Sequence, residues 1–330
     1  MEKTKVALLG RRGHWGYALK GLKELADEVE VVGISTGCED DPAAMAEIVK
    51  DFLGIEPKIY EDYKVMLDEA GADVVVIDGP YHRHAEMCIE ALKRNLHVFC
   101  EKPIALELDD LEAIRAAYKA AKPGTELISM VGLRAERAFA TAYKAVQDGV
   151  IGKVKMVNAR KSYKLGKRPA FYSDRATYGG TIPWVGSHAL DWIQWFGGAP
   201  FEKVYAFSNS DDNHDNGTME MTATCCFELA NKVVASASID FLRPATAPTH
   251  GDDRVRVAGT EGVIEVTYGV VTLINADGVK ELELLPERGI FYDFIRHLRY
   301  GEAAYTNAEE TFELTRACLV TRNCADQASL

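Results

Sequence analysis

The first 130 residues alternate between short apolar runs and amphipathic segments. The apolar runs are rich in valine, isoleucine and leucine, and they predict β-strands at Lys5–Leu9, Val29–Ile34, Asp73–Ile77, His97–Cys100 and Glu126–Val131. The segments between them carry helical patterns at Tyr17–Leu25, Asp41–Leu53, Ala85–Asn95 and Leu108–Ala121. Continuous apolarity is typical of strands that are covered on both faces. The alternation therefore predicts an α/β domain over residues 1–130, with a Rossmann-type, doubly wound parallel sheet and right-handed crossovers.

The pattern changes after Gly152, where β-rich runs follow one another with few helices between them. These runs are KVKMVNARKSY, EKVYAFSNS, TMEMTATCCFEL, KVVASASIDFL, VRVAGTEGVIEVTYGVVTLI and KELELL. They predict a C-terminal α+β domain over residues 131–330, with a large open, mostly antiparallel sheet. Its predicted helices are Ser187–Phe196, Ile290–Tyr300 and a last helix, which we allow to pack back on the first domain.

Composition and charge argue against several classes of protein and partner. The 330 residues are 47% hydrophobic and 27% charged, and the formal net charge of -12 argues against nucleic acid or an anionic membrane surface as a partner. No apolar run approaches the ~20 residues of a membrane helix, and the N-terminal segment lacks the plan of a signal peptide. Seven cysteines without a C-x-x-C pair indicate reduced thiols in a cytoplasmic protein, and no spacing indicates a metal site.

The segment GRRGHWG follows the first predicted strand directly. Glycine there permits a sharp turn and lets a pyrophosphate approach the backbone, and the next helix points its free N–H groups at the phosphates. The glycines are spaced differently from the common G-x-G-x-x-G pattern. The order of strand, glycine loop and helix nevertheless predicts dinucleotide binding by Gly10, Arg11, Arg12, Gly13, His14 and Trp15.

The end of the second strand bears on the choice between NAD and NADP. An acidic residue at this place binds the 2′-hydroxyl of the NAD ribose, whereas this chain has Ser35 and Thr36. A hydroxyl does not repel a 2′-phosphate, and Arg11 or Arg12 could neutralise one, although acidic residues follow at 39–41. The sequence leaves both cofactors open and slightly favours NADP.

Lys102 follows the predicted strand His97–Cys100, at the sheet edge where open α/β folds bind ligands. The segment GPYHRHAEMCIEALKRNLHVFCEKP resembles the Gfo/Idh/MocA family, which is named for glucose–fructose oxidoreductase and inositol dehydrogenase. GVIGKV, GTEGVIEV and FYDFIRHLRYGE extend the resemblance over essentially the whole chain. The resemblance implies a cofactor site that includes Pro80, His84, Glu101 and Lys102, with Pro103 completing the E-K-P motif.

The stretch GGTIPWVGSHALDW combines a glycine turn with a helix that begins near Ser187. The family pattern places an aspartate here, followed by G-x-H. When the stretch is aligned on Gly186 and His188, Trp184 stands at the aspartate position. His188 is therefore retained without the usual acid, and Asp191 matches another family position.

The resemblance implies hydride transfer between a nicotinamide and a carbon that bears a hydroxyl, with the cofactor supplying the hydride chemistry. His188 is then the base that takes the hydroxyl proton, since the ordinary pKa of histidine is about 6.5. Lys102 is expected to donate a hydrogen bond to the same oxygen and to stabilise its developing charge.

The substrate pocket is expected between Lys102, His188 and a face of the second sheet. The segment RKSYKLGKRPAFYSDR contains aromatic residues, which stack on sugar rings, and basic residues, which bind hydroxyls, carboxylates or phosphates. The candidate substrate-binding residues are Tyr163, Arg168, Tyr172, Trp184, Asp191 and His250.

These expectations favour a cytoplasmic NAD(P)-dependent oxidoreductase that acts on a sugar, cyclitol or related polyol. Two alternatives stay open because of Trp184. One is an epimerase or hydrolase that oxidises and re-reduces its substrate on a tightly held cofactor. The other is a ligand sensor without turnover, against which the retained Lys102 and His188 argue. By resemblance alone, a homodimer or homotetramer is expected.

Overall fold

A computed structural model describes residues 2–327, which group into two units. Unit 1 comprises the residues through Gly132 together with Arg288–Phe312. Unit 2 comprises Leu133–Glu287 together with the residues from Glu313 onward. This division differs from the single boundary at residue 130 that the sequence pattern suggested, because a late helix belongs to unit 1.

Unit 1 is built on a five-stranded sheet of order β2-β1-β3-β4-β5, in which all neighbours are parallel. The strands are β1 (Thr4–Leu9), β2 (Val29–Ser35), β3 (Val74–Ile77), β4 (His97–Cys100) and β5 (Leu127–Ser129). The helices among them are α1 (Gly16–Glu24), α2 (Pro42–Leu53), α3 (Tyr63–Glu69), α4 (His84–Lys93) and α5 (Leu108–Ala120). The predicted doubly wound parallel sheet is confirmed, with α3 as an additional short helix. Because β1 lies between β2 and β3, the carboxyl ends of these three strands meet at one edge.

The late helix α9 (Ile290–Tyr300) packs against the sheet of unit 1. Phe291 and Phe294 are fully buried, and their ring centroids lie 5.1 and 5.7 Å from the ring centroid of Phe99 in β4. This aromatic contact decides where the helix belongs, and the sequence pattern carries no information about it.

Unit 2 contains an eight-stranded sheet of order β13-β12-β11-β10-β6-β9-β8-β7. The strands are β6 (Val154–Tyr163), β7 (Phe201–Asn209), β8 (Thr222–Leu229), β9 (Val234–Asp240), β10 (Gly251–Gly259), β11 (Gly262–Thr267), β12 (Val270–Asn275) and β13 (Gly278–Glu281). The helices are α6 (Arg137–Gln147), α7 (Arg175–Tyr178), α8 (Ser187–Gly197) and α10 (Ala308–Gln327), of which α10 begins within the residues of unit 1. The mostly antiparallel sheet is confirmed, although the predicted strand KELELL is wrong beyond Glu281, where β13 ends.

One pair of neighbours in this sheet, β6 and β9, runs parallel. Strand β6 ends at Tyr163 and β9 ends at Asp240, so the segments that follow them leave the sheet at the same edge. Helix α8 packs on these two strands and is buried along its whole length. Within residues 2–327, no helix has the length and apolar character needed to cross a bilayer.

Candidate functional site

The loop after β1 is pinned between the ends of β2 and β3. Gly10 has a φ of 86°, and a Cβ at this position would lie 2.4 Å from the Gly79 nitrogen, so only glycine fits. The Gly10 N–H donates to the Ser35 carbonyl at 2.8 Å, and the Arg12 N–H donates to the Asp78 carbonyl at 2.8 Å. The loop backbone is therefore held from both sides.

Two buried carboxyl groups engage the middle of this loop. Asp78 accepts from the Gly13 N–H through Oδ1 and from the Trp15 N–H through Oδ2, each at 2.7 Å. Glu101 Oε2 accepts from the His14 N–H at 3.2 Å, and Glu101 Oε1 lies 2.9 Å from His14 Nδ1. Both carboxyl side chains are fully buried. A Cβ on Gly13 would lie 2.6 Å from Asp78 Oδ1, so glycine at 13 admits the carboxyl group.

The two carboxyl groups differ in their ionisation. Burial and then the charge of Glu101 raise the pKa of Asp78 well above its ordinary range. Burial also opposes the ionisation of Glu101, but the nearby His14 and Lys102 outweigh it and lower the pKa of Glu101. The pKa values of the two neighbouring carboxyl groups are therefore shifted in opposite directions, upward for Asp78 and downward for Glu101. Sequence reasoning missed Asp78, although its position directly after a buried parallel strand was a usable signal.

Lys102 lies at the carboxyl end of β4 with only 3% of its surface exposed, and its Nζ is 3.8 Å from Glu101 Oε1. The peptide bond to Pro103 is cis. His84 is buried nearby, with Nδ1 2.9 Å from the Pro103 carbonyl oxygen and Nε2 3.0 Å from the Gly79 carbonyl oxygen. Burial lowers the pKa of His84, and a neutral ring donates to only one of these oxygens. His84 therefore links the turn that contains the buried Pro80 to the turn after β4.

Ser35 and Thr36 are both buried at the end of β2. Thr36 Oγ1 donates to the Cys38 carbonyl at 2.9 Å. The Ser35 hydroxyl has no hydrogen-bond partner among the described residues. This buried hydroxyl, which has no partner among the described residues, lies at the place where Rossmann folds bind a ribose hydroxyl.

The two loop arginines differ in their surroundings. Arg12 forms a two-point ion pair with Asp40, with distances of 2.8 and 2.7 Å, and its guanidinium lowers the pKa of Asp40. The buried Nε of Arg11 has no hydrogen-bond partner within residues 2–327. Of the two cations that the sequence offered for a 2′-phosphate, Arg12 is thus already paired with a carboxylate.

These groups fit a dinucleotide in an unusual way. An amide N–H has one hydrogen to donate, and the amides at 13–15 donate to the buried carboxyl groups. A pyrophosphate would therefore be met by the side chains of Arg11 and Arg12, while the Ser35 hydroxyl remains for the ribose.

In unit 2, a glycine turn precedes helix α8. Gly179 and Gly180 have φ values of 89° and 105°, which favour glycine. The turn is anchored by the buried Glu220, whose Oε2 accepts from the Thr181 N–H at 2.9 Å and whose carbonyl accepts from Thr181 Oγ1 at 2.7 Å.

A π-helical turn, Ile182–Gly186, leads from the glycine turn into α8. A Cβ on Gly186 would lie 2.5 Å from Ile239 Cδ1, so glycine lets the start of the helix approach β9. His188 lies on the first turn of α8 and is 2% exposed. Such π-turns are frequent at functional sites, and this one fixes the position of His188.

An aromatic–arginine cluster forms near the carboxyl ends of β6 and β9. The Arg168 guanidinium carbon lies 5.7, 5.6 and 4.7 Å from the ring centroids of Tyr172, Trp184 and Phe241. All three distances are within the range of cation–π attraction. The ring of Tyr163 lies 4.8 Å from that of His250 and 6.4 Å from that of Phe241. The members of the cluster are Tyr163, Arg168, Tyr172, Trp184, Phe241 and His250.

Five of the six predicted substrate-binding residues thus come together, and Phe241, which joins them, was missed. It directly follows β9, and the parallel pairing that brings it to Tyr163 cannot be read from the sequence. In this cluster, three largely buried aromatic rings surround the guanidinium of Arg168.

Asp191, the sixth predicted residue, is held elsewhere. Arg134 donates to it through Nε at 3.0 Å and through Nη2 at 2.6 Å, and both side chains are at most 2% exposed. The Arg134 guanidinium also lies 5.2 Å from the ring of Trp195. Asp191 therefore has a structural role in anchoring α8, and its contact with substrate stays a prediction. Removing one member of such a buried pair typically costs roughly 3–5 kcal/mol.

Lys161 is a further buried charge that sequence reasoning missed. Its Nζ lies 2.5 Å from Asp253 Oδ2 and 4.7 Å from the ring centroid of Tyr163, and the side chain is 1% exposed. Burial lowers the pKa of Lys161. Within a strand pattern, a lysine indicates a solvated position, so its burial depends on long-range packing. No group of three or more metal-ligating side chains occurs in the part of the chain that the structure describes.

Comparisons with known proteins agree with this geometry. Residues 5–132 match the model of an oxidoreductase family with an NAD-binding Rossmann fold, and residues 139–265 match the GFO/IDH/MocA C-terminal domain. A solved structure described as an oxidoreductase from Thermotoga maritima is 41% identical, covers 98% of both chains and has a TM-score of 0.93.

Curated relatives carry more specific names. Myo-inositol 2-dehydrogenase from Thermotoga maritima is 28% identical over 293 residues, which cover 88% of this chain and 81% of that protein. Inositol 2-dehydrogenase from Salmonella typhimurium is 27% identical over 187 residues, which cover 56% of this chain and 53% of that protein. This chain therefore spans only about half the length of the Salmonella relative.

Replacing Asp78 tests the hold on the loop. Asp78→Asn is expected to lower the free energy of unfolding by roughly 1–3 kcal/mol, because an amide accepts from only one of the two loop N–H groups. Denaturant titration measures the loss. Asp73→Asn is the matched control, since Asp73 accepts from the Lys5 N–H at 2.8 Å in an exposed position, and we expect a change of at most about 0.5 kcal/mol. Equal losses in the two variants would contradict this account of the loop.

The raised pKa of Asp78 also predicts a pH dependence. The folded state holds this proton more tightly than the unfolded chain, so the contribution to stability is complete below pH about 4 and is lost as the pH rises through the pKa of the folded group. Asp78→Asn stays uncharged and lacks this dependence. The stability difference between wild type and Asp78→Asn should therefore shrink as the pH rises from 4 to 9, and a pH-independent difference would contradict the assignment.

Proposed function

This chain belongs to the Gfo/Idh/MocA family of oxidoreductases, and we propose that it is an NAD(P)-dependent dehydrogenase of a sugar, cyclitol or related polyol. The observation that carries the proposal is Lys102, which is buried beside Glu101 at the carboxyl end of a Rossmann-type sheet. Burying an ammonium group costs desolvation energy, and a substrate oxygen that accepts its hydrogen bond would offset part of that cost. The names of the inositol dehydrogenase relatives support a polyol substrate.

The cofactor is proposed to bind along the loop after β1 and the end of β2. Arg11 and Arg12 would meet the pyrophosphate, and Ser35 would bind the ribose. Both NAD and NADP are compatible with the family, and Ser35 in place of an acid supports NADP.

Two side chains are proposed to handle the substrate hydroxyl. The nicotinamide, when bound, accepts or donates the hydride. Lys102 donates a hydrogen bond to the hydroxyl oxygen and stabilises its negative charge as the proton leaves. His188 accepts that proton.

The aromatic–arginine cluster is proposed to bind the body of the substrate. The rings of Tyr172 and Trp184 lie 4.7 Å apart and supply apolar faces of the kind that stack on sugar rings. With tryptophan at 184, this position supplies no carboxylate to His188. The proposal therefore assigns Trp184 to substrate binding rather than to proton transfer.

The proposal is tested by a screen of sugars and polyols with NAD and NADP, which follows the absorbance of the reduced nicotinamide. With the substrate so found, His188→Ala should lose about 10²–10⁴-fold in turnover, the usual range for removing a general base. Cofactor affinity should stay within about threefold. Trp184→Ala should raise KM more than it lowers turnover, since it removes a binding surface.

His97→Ala is the matched control, because His97 begins β4, at the sheet edge opposite to Lys102, and this variant should keep wild-type kinetics. If His188→Ala turned over at near the wild-type rate, the proton acceptor would lie elsewhere. If no form of the cofactor bound in calorimetry, the dehydrogenase proposal as a whole would fail.

Cofactor choice is tested at Ser35. We expect the wild type to bind NADP at least as tightly as NAD. Ser35→Asp should weaken NADP by at least about tenfold relative to NAD, or about 1.4 kcal/mol, because a carboxylate would face the 2′-phosphate. Fluorescence titration with NADH and NADPH measures both affinities. Ser35→Ala separates charge from shape, since it removes the hydroxyl and should weaken both cofactors to a similar extent. A wild type that strongly prefers NADH would refute this interpretation of the strand end.

A further inference from the structure

A cavity of about 900 Å³ lies in unit 2, lined by the segments that follow β6 and β9 and by the segment between β7 and β8. The two strands run parallel, and Lys164 and Leu242 just beyond their ends form a further bridge, so the two segments are held side by side. The volume falls within the ~300–1,000 Å³ that is typical of small-molecule sites. The cavity can therefore hold a group the size of a sugar or a sugar acid.

The lining of this cavity is basic. It contains one carboxylate, Asp212, among the described residues, against the four cationic side chains of Lys164, Lys167, Arg168 and Arg243. The whole chain has a formal net charge of -12, so the charge of the cavity lining is opposite in sign to that of the whole chain. A local cationic excess inside a concave surface attracts anions.

Several of these cations are held in place by uncharged groups. Lys164 Nζ donates to the Ala247 carbonyl at 2.5 Å, and Arg168 Nη2 donates to the Lys164 carbonyl at 3.1 Å. Arg243 donates to Thr249 through Nε at 2.9 Å and Nη2 at 2.7 Å, and its Nη1 lies 3.6 Å from Asp252 Oδ2. The carbonyl acceptors fix Lys164 and Arg168 without cancelling their charge, whereas Asp252 offsets part of the charge of Arg243.

The positive charges around the cavity also act on His250, a member of the aromatic–arginine cluster. Burial lowers its pKa, and the charges of Arg168, Lys164 and Lys161 lower it further. Arg168 and Phe241 are members of the cluster and also line the cavity. The cationic cavity is thus continuous with the surface that is proposed to bind the sugar ring.

We propose that the substrate carries an anionic group, a carboxylate or a phosphate, and that this cavity binds it through Lys164, Lys167, Arg168 and Arg243. The inference rests on the proposed function, since it places the anion next to the aromatic faces assigned to the substrate. It narrows the substrate class from neutral polyols to sugar acids or sugar phosphates.

The test is calorimetric binding of matched probes, with and without NADH and NADPH. The probes are glucose, glucuronate and glucose 6-phosphate, together with myo-inositol and myo-inositol 1-phosphate. The wild type should bind at least one charged probe ten or more times more tightly than its neutral counterpart, and 0.5 M salt should reduce that preference. The stronger of the carboxylate and phosphate arms identifies the anion.

Lys167→Glu and Arg243→Gln should each reduce the preference to below threefold. Lys167 is exposed, so Lys167→Glu is not expected to disturb folding. Lys155→Glu makes the same charge change at an exposed position near the opposite end of β6 and should keep the wild-type preference. Absence of a charged-over-neutral preference in every pair, or its survival in both cavity variants, overturns the inference. A preserved anion preference without binding of either cofactor would instead overturn the proposed function.

Discussion

The constraint on which unit 1 depends is the hold of two buried carboxyl groups on the loop after β1. Asp78 comes from the end of β3 and Glu101 from the end of β4, so the loop is fixed to two neighbouring strands of the sheet. In other Rossmann folds, the amides of this loop face a pyrophosphate. Here the protein supplies its own acceptors. The protein itself thereby holds the loop, and we propose that cofactor recognition falls to the side chains of Arg11, Arg12 and Ser35.

The candidate site of unit 2 depends on the one pair of parallel neighbours, β6 and β9, in its otherwise antiparallel sheet. In an antiparallel neighbour pair, the carboxyl ends lie at opposite edges of the sheet. Because β6 and β9 run parallel, the segments after Tyr163 and Asp240 emerge together. One segment brings Arg168 and the other brings Phe241, while the π-helical turn contributes Trp184 and helix α8, which packs on the same strands, contributes His188. The aromatic–arginine cluster and the cationic cavity both follow from this one pairing.

Local patterns in the sequence predicted much of the fold and part of the candidate site. The strand ends of unit 1, the position of Lys102 and the helix that begins at Ser187 all follow from periodicity and turn residues. Tyr163, Arg168 and Tyr172 could be proposed because one short segment contains them. Asp191 shows the limit of this reasoning, because its partner Arg134 lies 57 positions away. The burial of Lys161 and the place of α9 likewise depend on contacts between distant segments, which no local pattern encodes.

Trp184 bears on two features of unit 2, the proposed proton acceptor His188 and the cationic cavity. The Arg168 guanidinium lies 5.6 Å from the ring of Trp184, the position at which the family pattern has an aspartate. A carboxylate close to a guanidinium attracts it strongly and offsets its charge. An aromatic face attracts the cation more weakly and leaves its net charge in place. In our proposal, tryptophan at 184 therefore supplies no acid to His188 and leaves the positive charge of Arg168 at the rim of the cavity. Both features agree with the proposed anionic substrate.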